Sequence, residues 1–110
     1  MVREAVTEDL EELLQLYLYL HEQTVPALSE YLLSAWNRIL EDENHHLIVK
    51  IVDGRIVSSC VCVIIPNLTR NVRPYAFVEN VVTHGDYRGK GYATECLHLC
   101  ERHCGKEKLL

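Results

Sequence analysis

The stretch Val78 to Thr94, VENVVTHGDYRGKGYAT, decides how the chain is read. Val78, Val81, Val82 and Thr83 are strand-forming residues, His84-Gly85-Asp86 is a polar turn, and a basic, glycine-spaced segment then runs straight into a helical pattern. The first N–H groups of a helix have no intrahelical acceptor and carry the positive end of its dipole. A helix entered through glycines is therefore an anion site. Gly89 and Gly91 allow close backbone approach, Arg88 and Lys90 add positive charge, and the segment reads as a cradle for a diphosphate.

Spacing narrows the ligand. A P-loop needs a wider glycine spacing and a following Lys-Ser or Lys-Thr, and the dinucleotide fingerprint needs a third Gly or Ala where this chain has Thr94. The pattern Arg-x-x-Gly-x-Ala, spelled Arg88, Gly89, Lys90, Gly91, Tyr92, Ala93, together with the preceding Glu79-Asn80-Val81-Val82-Thr83, resembles motif A of the GNAT superfamily of acyl-CoA-dependent N-acyltransferases. The resemblance implies acetyl-CoA as the cofactor. Its pyrophosphate would lie on the backbone amides from Gly89 through Lys90, Gly91, Tyr92 and Ala93 to Thr94, with Arg88 opening the motif. Its pantetheine arm would pair with Val81, Val82 and Thr83.

Amine acylation asks for a base to deprotonate an ammonium, donors to polarise a thioester carbonyl and an acid for the departing thiolate. Glu79 is the candidate catalytic base, two residues before Val81 and so expected on the same strand face. The competing reading is a strand glutamate that hydrogen-bonds neighbouring loops. The resemblance also implies that Glu79 and Asn80 meet the acceptor. In the sugar-phosphate branch of the superfamily an acidic pair stands there, and Asn80 departs from that pattern. The family's usual acid is a tyrosine in a fourth helix, which Tyr75, Tyr87 and Tyr92 do not match. Cys96 and Cys100 are minor candidates as acyl-carrying nucleophiles.

The 110 residues suit one domain, 1–110, and 48% hydrophobic with 25% charged residues describes an ordinary globular sequence. No apolar run reaches a membrane span, and charges follow Met1 at once, so a cytoplasmic protein is expected. A net charge of -5 argues against a nucleic-acid surface and suits a cationic amine. Five cysteines without an export signal read as reduced packing residues. Cys96, Cys100 and Cys104 recur on one helix face, and Cys60 and Cys62 share a strand face. With no CxxC or HxxxH spacing, and with His45 and His46 adjacent in a strand and so pointing apart, no metal site is read.

Coarse elements follow from periodicity and punctuation. Val2–Val6 reads as a strand (β1), Thr7 as a cap, and Glu8–Glu22 as a helix (α1) with Leu10, Leu13, Leu14, Tyr17 and Leu20 on one face. Pro26 breaks it, and Ser29 caps a second helix through Leu40 (α2). Leu47–Val52 (β2) and Arg55–Ile65 (β3) flank Asp53-Gly54, a hairpin signal. Arg70 and Arg73 lie in a polar connection and read as solvated; Tyr75–Thr83 is β4 and Gly91–Cys104 the last helix (α3). By the resemblance, the helix pair α1 and α2 flanks the acceptor groove, where His21 and Tyr31 could touch substrate; by themselves both read as surface or packing residues.

The order β1-α1-α2-β2-β3-β4-α3 is an α/β (α+β) arrangement similar to the first part of the GNAT mixed sheet, without its usual fifth strand, fourth helix and closing hairpin. The expectation is a partial, C-terminally shortened domain whose β4 edge is open, which a homodimer would complete. Two functions stay open: an acetyl-CoA-dependent N-acetyltransferase acting on a primary amine of a small molecule or peptide, and a non-catalytic acyl-CoA-binding or dimerisation module.

Overall fold

Asp53 and Gly54 both take left-handed backbone, with φ of 51° and 76°, which is the turn that lets two strands reverse without splaying. The computed structural model describes residues 1–104, the side chain of Cys104 excepted. Around that turn β2 (His45–Val52) pairs with β3 (Arg55–Ile65). β1 (Val2–Glu4) adds to the outside of β2, and β4 (Tyr75–Thr83) to the outside of β3. The sheet order is β1-β2-β3-β4, antiparallel throughout, and β4 is an edge strand. Among the described residues nothing pairs with its outer side.

Side-chain alternation divides the sheet into two faces. Leu47, Val49, Val61 and Val82 point to one, where α1 (Leu10–Leu16) and α2 (Glu30–Glu41) bury Leu10, Leu13, Leu16 and Trp36. Ile48, Cys60 and Cys62 point to the other, against Cys96 and Cys100 of α3 (Tyr92–Cys104). Every residue from Ile56 to Cys62 is buried, so β3 is the strand covered on both sides. Among the described residues no helix is long and apolar enough to cross a membrane.

Several local expectations change. Ser29 caps α2 as read, its Oγ accepting the Leu32 N–H at 3.1 Å. Thr7 does not cap α1. A 3-10 turn, Thr7–Asp9, precedes that helix, and Asp9 Oδ2 accepts the Val6 N–H at 2.8 Å while both carboxylate oxygens take the Arg3 guanidinium at 2.7 and 3.1 Å. The helix expected to reach Glu22 stops at Leu16 and tightens into a second 3-10 turn, Tyr17–Tyr19. Tertiary demands on Tyr17, packed against the core, and Tyr19, bonded to His84, override helix propensity there. Across the same face Trp36 Nε1 donates to the Thr7 carbonyl at 3.2 Å.

The cysteines need the largest correction. Cys60 and Cys96 are buried and unbonded as expected, but Cys62 and Cys100 form a disulfide joining β3 to α3. Helical and strand spacing put these residues on facing surfaces; that two of them approach closely enough to bond depends on how the helix lies on the sheet. The side chain of Cys104 and residues 105–110 lie outside the described structure.

Two stability predictions follow from these links. The disulfide spans 38 residues, a separation whose loop-closure entropy is worth about 3–4 kcal/mol. Urea midpoints with and without dithiothreitol, repeated on Cys62→Ser, should differ by that order for the wild type and not for the variant. Burial alone would raise the Asp9 pKa, but the Arg3 guanidinium and the Val6 N–H outweigh it and hold the carboxyl below its ordinary 3.8. The stability it contributes is complete above that value and is lost as pH falls through the lower folded-state value. Asp9→Asn should therefore cost about 1–3 kcal/mol at neutral pH, with the gap from wild type closing in acid.

Candidate active site

The ladder between β3 and β4 slips where Glu79 stands. Glu79 pairs with Val61 and Val82 pairs with Ser59, so β4 carries one residue more than β3 over this interval. This is a β-bulge, a device that bends a strand and re-aims its groups beside functional sites. Asn80 absorbs it with φ of 52°, a left-handed conformation that asparagine tolerates better than most residues. Glu79 therefore shares a face with Val82, not with Val81 as simple alternation implied. Val82 is buried, while Glu79, Asn80 and Val81 remain exposed. Ser58 Oγ donates to the Val82 carbonyl at 2.9 Å and meets Thr83 Oγ1 at 2.9 Å, pinning the strand beyond the bulge.

Glu79 lies on the face covered by α1, and Tyr17 at the end of that helix is within its electrostatic reach. The Tyr17 phenol is pushed up to about 12, first by burial and then by its proximity to Cys60 and Glu79. It stays protonated and can donate. The sequence placed Tyr17 only as a core residue, since helical spacing does not tell a half-buried tyrosine near a carboxylate from any other.

After Thr83 the chain makes a 3-10 turn, Gly85–Tyr87, and reaches the glycines. Gly89 and Gly91 both have φ of 79°, and a Cβ built on either would meet nothing within 4 Å. Their backbone needs glycine, and the space above it is open. The first intrahelical hydrogen bond of α3 runs from the Glu95 N–H to the Gly91 carbonyl at 3.1 Å. The amides of Tyr92, Ala93 and Thr94 thus have no acceptor within the helix, and Lys90 stands exposed beside them. A diphosphate fits this arrangement of left-handed glycines, orphan amides and one exposed ammonium.

Arg88 does something other than the expected charge contact. Its Nε donates to the Thr83 carbonyl and its Nη2 to the Tyr19 carbonyl, each at 3.3 Å, so the guanidinium braces the loop. Tyr19 completes the brace. Its hydroxyl lies 3.1 Å from His84 Nε2, its ring centroid lies 4.4 Å from that of the His84 ring with the planes tilted by 39°, and a Cβ at Gly85 would come within 3.1 Å of it. His84 Nδ1 accepts the Asp86 N–H, which leaves Nε2 as the donor to Tyr19 in the neutral ring. Tyr19 and His84 also border an open pocket of about 430 Å³ with Glu12, Gln15 and Arg55.

The first turn of α3 is anchored from below. Lys50 Nζ on β2 pairs with Glu95 at 2.8 Å and lies 5.0 Å from the Tyr92 ring centroid. Other sequence candidates are not drawn in. Tyr31 is 82% exposed on α2, and His21 is exposed beside Glu22. Arg70 and Arg73 are exposed on a polar turn, as read. Neither cysteine suits a nucleophile: Cys100 is bonded, and burial pushes the Cys96 thiol up to about 11.

Comparison with known proteins agrees with this geometry. The sequence profile described as the Acetyltransferase (GNAT) family matches residues 7–109. A solved structure from Agrobacterium tumefaciens str. C58, classed as an acetyltransferase, is 32% identical with a TM-score of 0.88, over 100% of this chain and 80% of that one. A Trypanosoma brucei acetyltransferase is 28% identical with a TM-score of 0.82, over 100% and 80%. Glucosamine-6-phosphate N-acetyltransferase from Arabidopsis thaliana shares the fold at 17% identity, with a TM-score of 0.83 over 100% and 79%. No curated protein sequence matches the chain. A strand bulged at Asn80, glycines that open the mouth of α3 and a family profile spanning nearly all the chain agree: it belongs to the GNAT acetyltransferase family.

Proposed function

We propose that the protein is an acetyl-CoA-dependent N-acetyltransferase acting on a primary amine of a small molecule or peptide. The observation that carries this reading is the pair of left-handed glycines, with open space above them, placed beside the orphan amides of Tyr92, Ala93 and Thr94. In the proposed complex the amides from Gly89 to Thr94 hold the diphosphate, with Lys90 as counter-charge. Arg88 acts through its hold on the loop. The edge at Val81, Val82 and Thr83 receives the pantetheine arm by main-chain pairing, as an extended peptide is received by a sheet edge.

Bound acetyl-CoA supplies an activated thioester, so no side chain has to carry the acetyl group. Glu79 takes the proton from the acceptor ammonium, and Asn80, held at the bulge beside it, contacts the acceptor. The bulge supports this assignment because it turns Glu79 toward the α1 side while leaving it open to solvent. The protonated Tyr17 phenol supplies a hydrogen-bond donor on that same side. Net charge of -5 favours a cationic acceptor over an anionic one. The outer edge of β4, unpaired among the described residues and with Phe77 and Val78 exposed, is where a second copy would add to the sheet.

Release of free coenzyme A thiol from acetyl-CoA, measured against a panel of primary amines, is the direct test; no release with any amine would leave a binding module only. A valine at Gly91 would fill the open space above the loop and drive its left-handed backbone to another conformation, so Gly91→Val should weaken acetyl-CoA binding about tenfold or more by calorimetry. Unchanged affinity would remove the cradle. Glu79→Gln should lower kcat about 100-fold or more while leaving coenzyme affinity intact. If its pH-rate profile matches wild type, Glu79 is not the base.

A further inference from the structure

A second cluster of chemistry-bearing side chains lies at the other end of α3. Glu4 on β1, His46 on β2 and His103 in the last turn of α3 converge there. Glu4 Oε1 is 3.1 Å from His46 Nδ1, and Glu4 Oε2 is 3.2 Å from His103 Nε2. The two imidazole rings are parallel, with centroids 5.0 Å apart and an interplanar angle of 3°. All three potential ligand atoms lie within 4.8 Å of one another. His46 is the most enclosed, its side chain 15% exposed.

Fold geometry explains the convergence. Glu4 pairs with Ile48, so it shares a face with His46, two residues back along β2. His46 pairs with Cys62, Cys62 is bonded to Cys100, and His103 follows Cys100 by one helical turn. Strand register and the disulfide together suspend the His103 turn over His46. Sequence spacing could not reveal this, because the three residues come from three elements and the adjacent His45 and His46 do point apart.

We propose that Glu4, His46 and His103 form a binding site for a divalent ion of the zinc class, which clamps the last turn of α3 to β1 and β2. Two imidazoles and one carboxylate are the donor set of borderline divalent metals such as Zn²⁺ and Co²⁺, whereas Mg²⁺ and Ca²⁺ favour oxygen alone. Metal–ligand bonds of about 2.0–2.2 Å put tetrahedral ligand atoms about 3.4 Å apart; each imidazole lies near that distance from one Glu4 oxygen, His46 from Oε1 and His103 from Oε2. Binding turns the two rings out of their parallel arrangement so that both nitrogens face a common centre, and water fills the fourth position. Lying twelve residues from Gly91, about 18 Å along the helix axis, the ion takes no part in acyl transfer. It steadies the helix whose opposite end forms the cradle.

The full-length chain, freed of any affinity tag and treated with EDTA, is titrated with Zn²⁺ by calorimetry and with Co²⁺ by absorption. The wild type should bind one equivalent and melt at a higher temperature with Zn²⁺, the rise saturating near one equivalent. His46→Gln and His103→Gln should each weaken binding by more than about tenfold, since even outer-shell partners of a metal are worth that much. In EDTA the His103→Gln variant, which keeps a donor toward Glu4, should lose only the small share of stability that an exposed pair carries and still melt cooperatively; this separates metal loss from misfolding. Equal Zn²⁺ affinity in wild type and His103→Gln, or no binding at millimolar Zn²⁺, would overturn the proposal. So would a thiolate-to-cobalt charge-transfer band, which would put the metal on cysteines.

Discussion

The seating of α3 on the sheet is the contact on which the remaining features depend. Small side chains meet there, with Cys96 and Cys100 against Ile48, Cys60 and Cys62, so the helix comes down close to the strands. A close, covalently tied helix has little freedom to swing, and its first turn is therefore aimed as firmly as its last. Lys50 adds an ion pair to Glu95 at the same end. The direction of the amides at Tyr92, Ala93 and Thr94 is set by packing on the sheet more than by the loop that precedes them.

The sheet serves two tasks with its two faces. One binds α3 and so positions its first turn; the other holds α1 and α2 and receives Glu79. Both tasks meet on β4, because a strand with one neighbour can offer groups outward as well as to either side. The bulge at Asn80 is what reconciles them. It lets Val82 remain buried on the α1 face while Glu79, three residues earlier, stands exposed on that same face.

Much of this was readable from local signals, and the exceptions have a common cause. The Asp53-Gly54 turn, the Ser29 cap, the bounds of β3 and β4 and the glycine-opened helix are each encoded within a few residues, and each was found where expected. What escaped depends on distant partners. The first helix ends early because Tyr19 is needed at His84; the Cys62–Cys100 bond requires the helix to lie on the sheet; Arg88 spends its donors on the carbonyls of Thr83 and Tyr19. Asn80 left one local trace, since asparagine is the residue that most readily replaces glycine in left-handed backbone, but alternation on either side concealed it.

The early end of α1 has one more effect. Had the helix continued to Glu22, the Tyr19 carbonyl would have been consumed by the amide of Gln23 in the regular ladder. Because the chain tightens after Leu16 instead, that oxygen is released to receive Arg88, while the ring beside it leans on His84. The shortened helix and the glycine loop are thereby tied together by a hydrogen bond and a ring contact. Loosening the Tyr19 turn would therefore loosen the Thr83–Arg88 loop with it, since the two share these contacts.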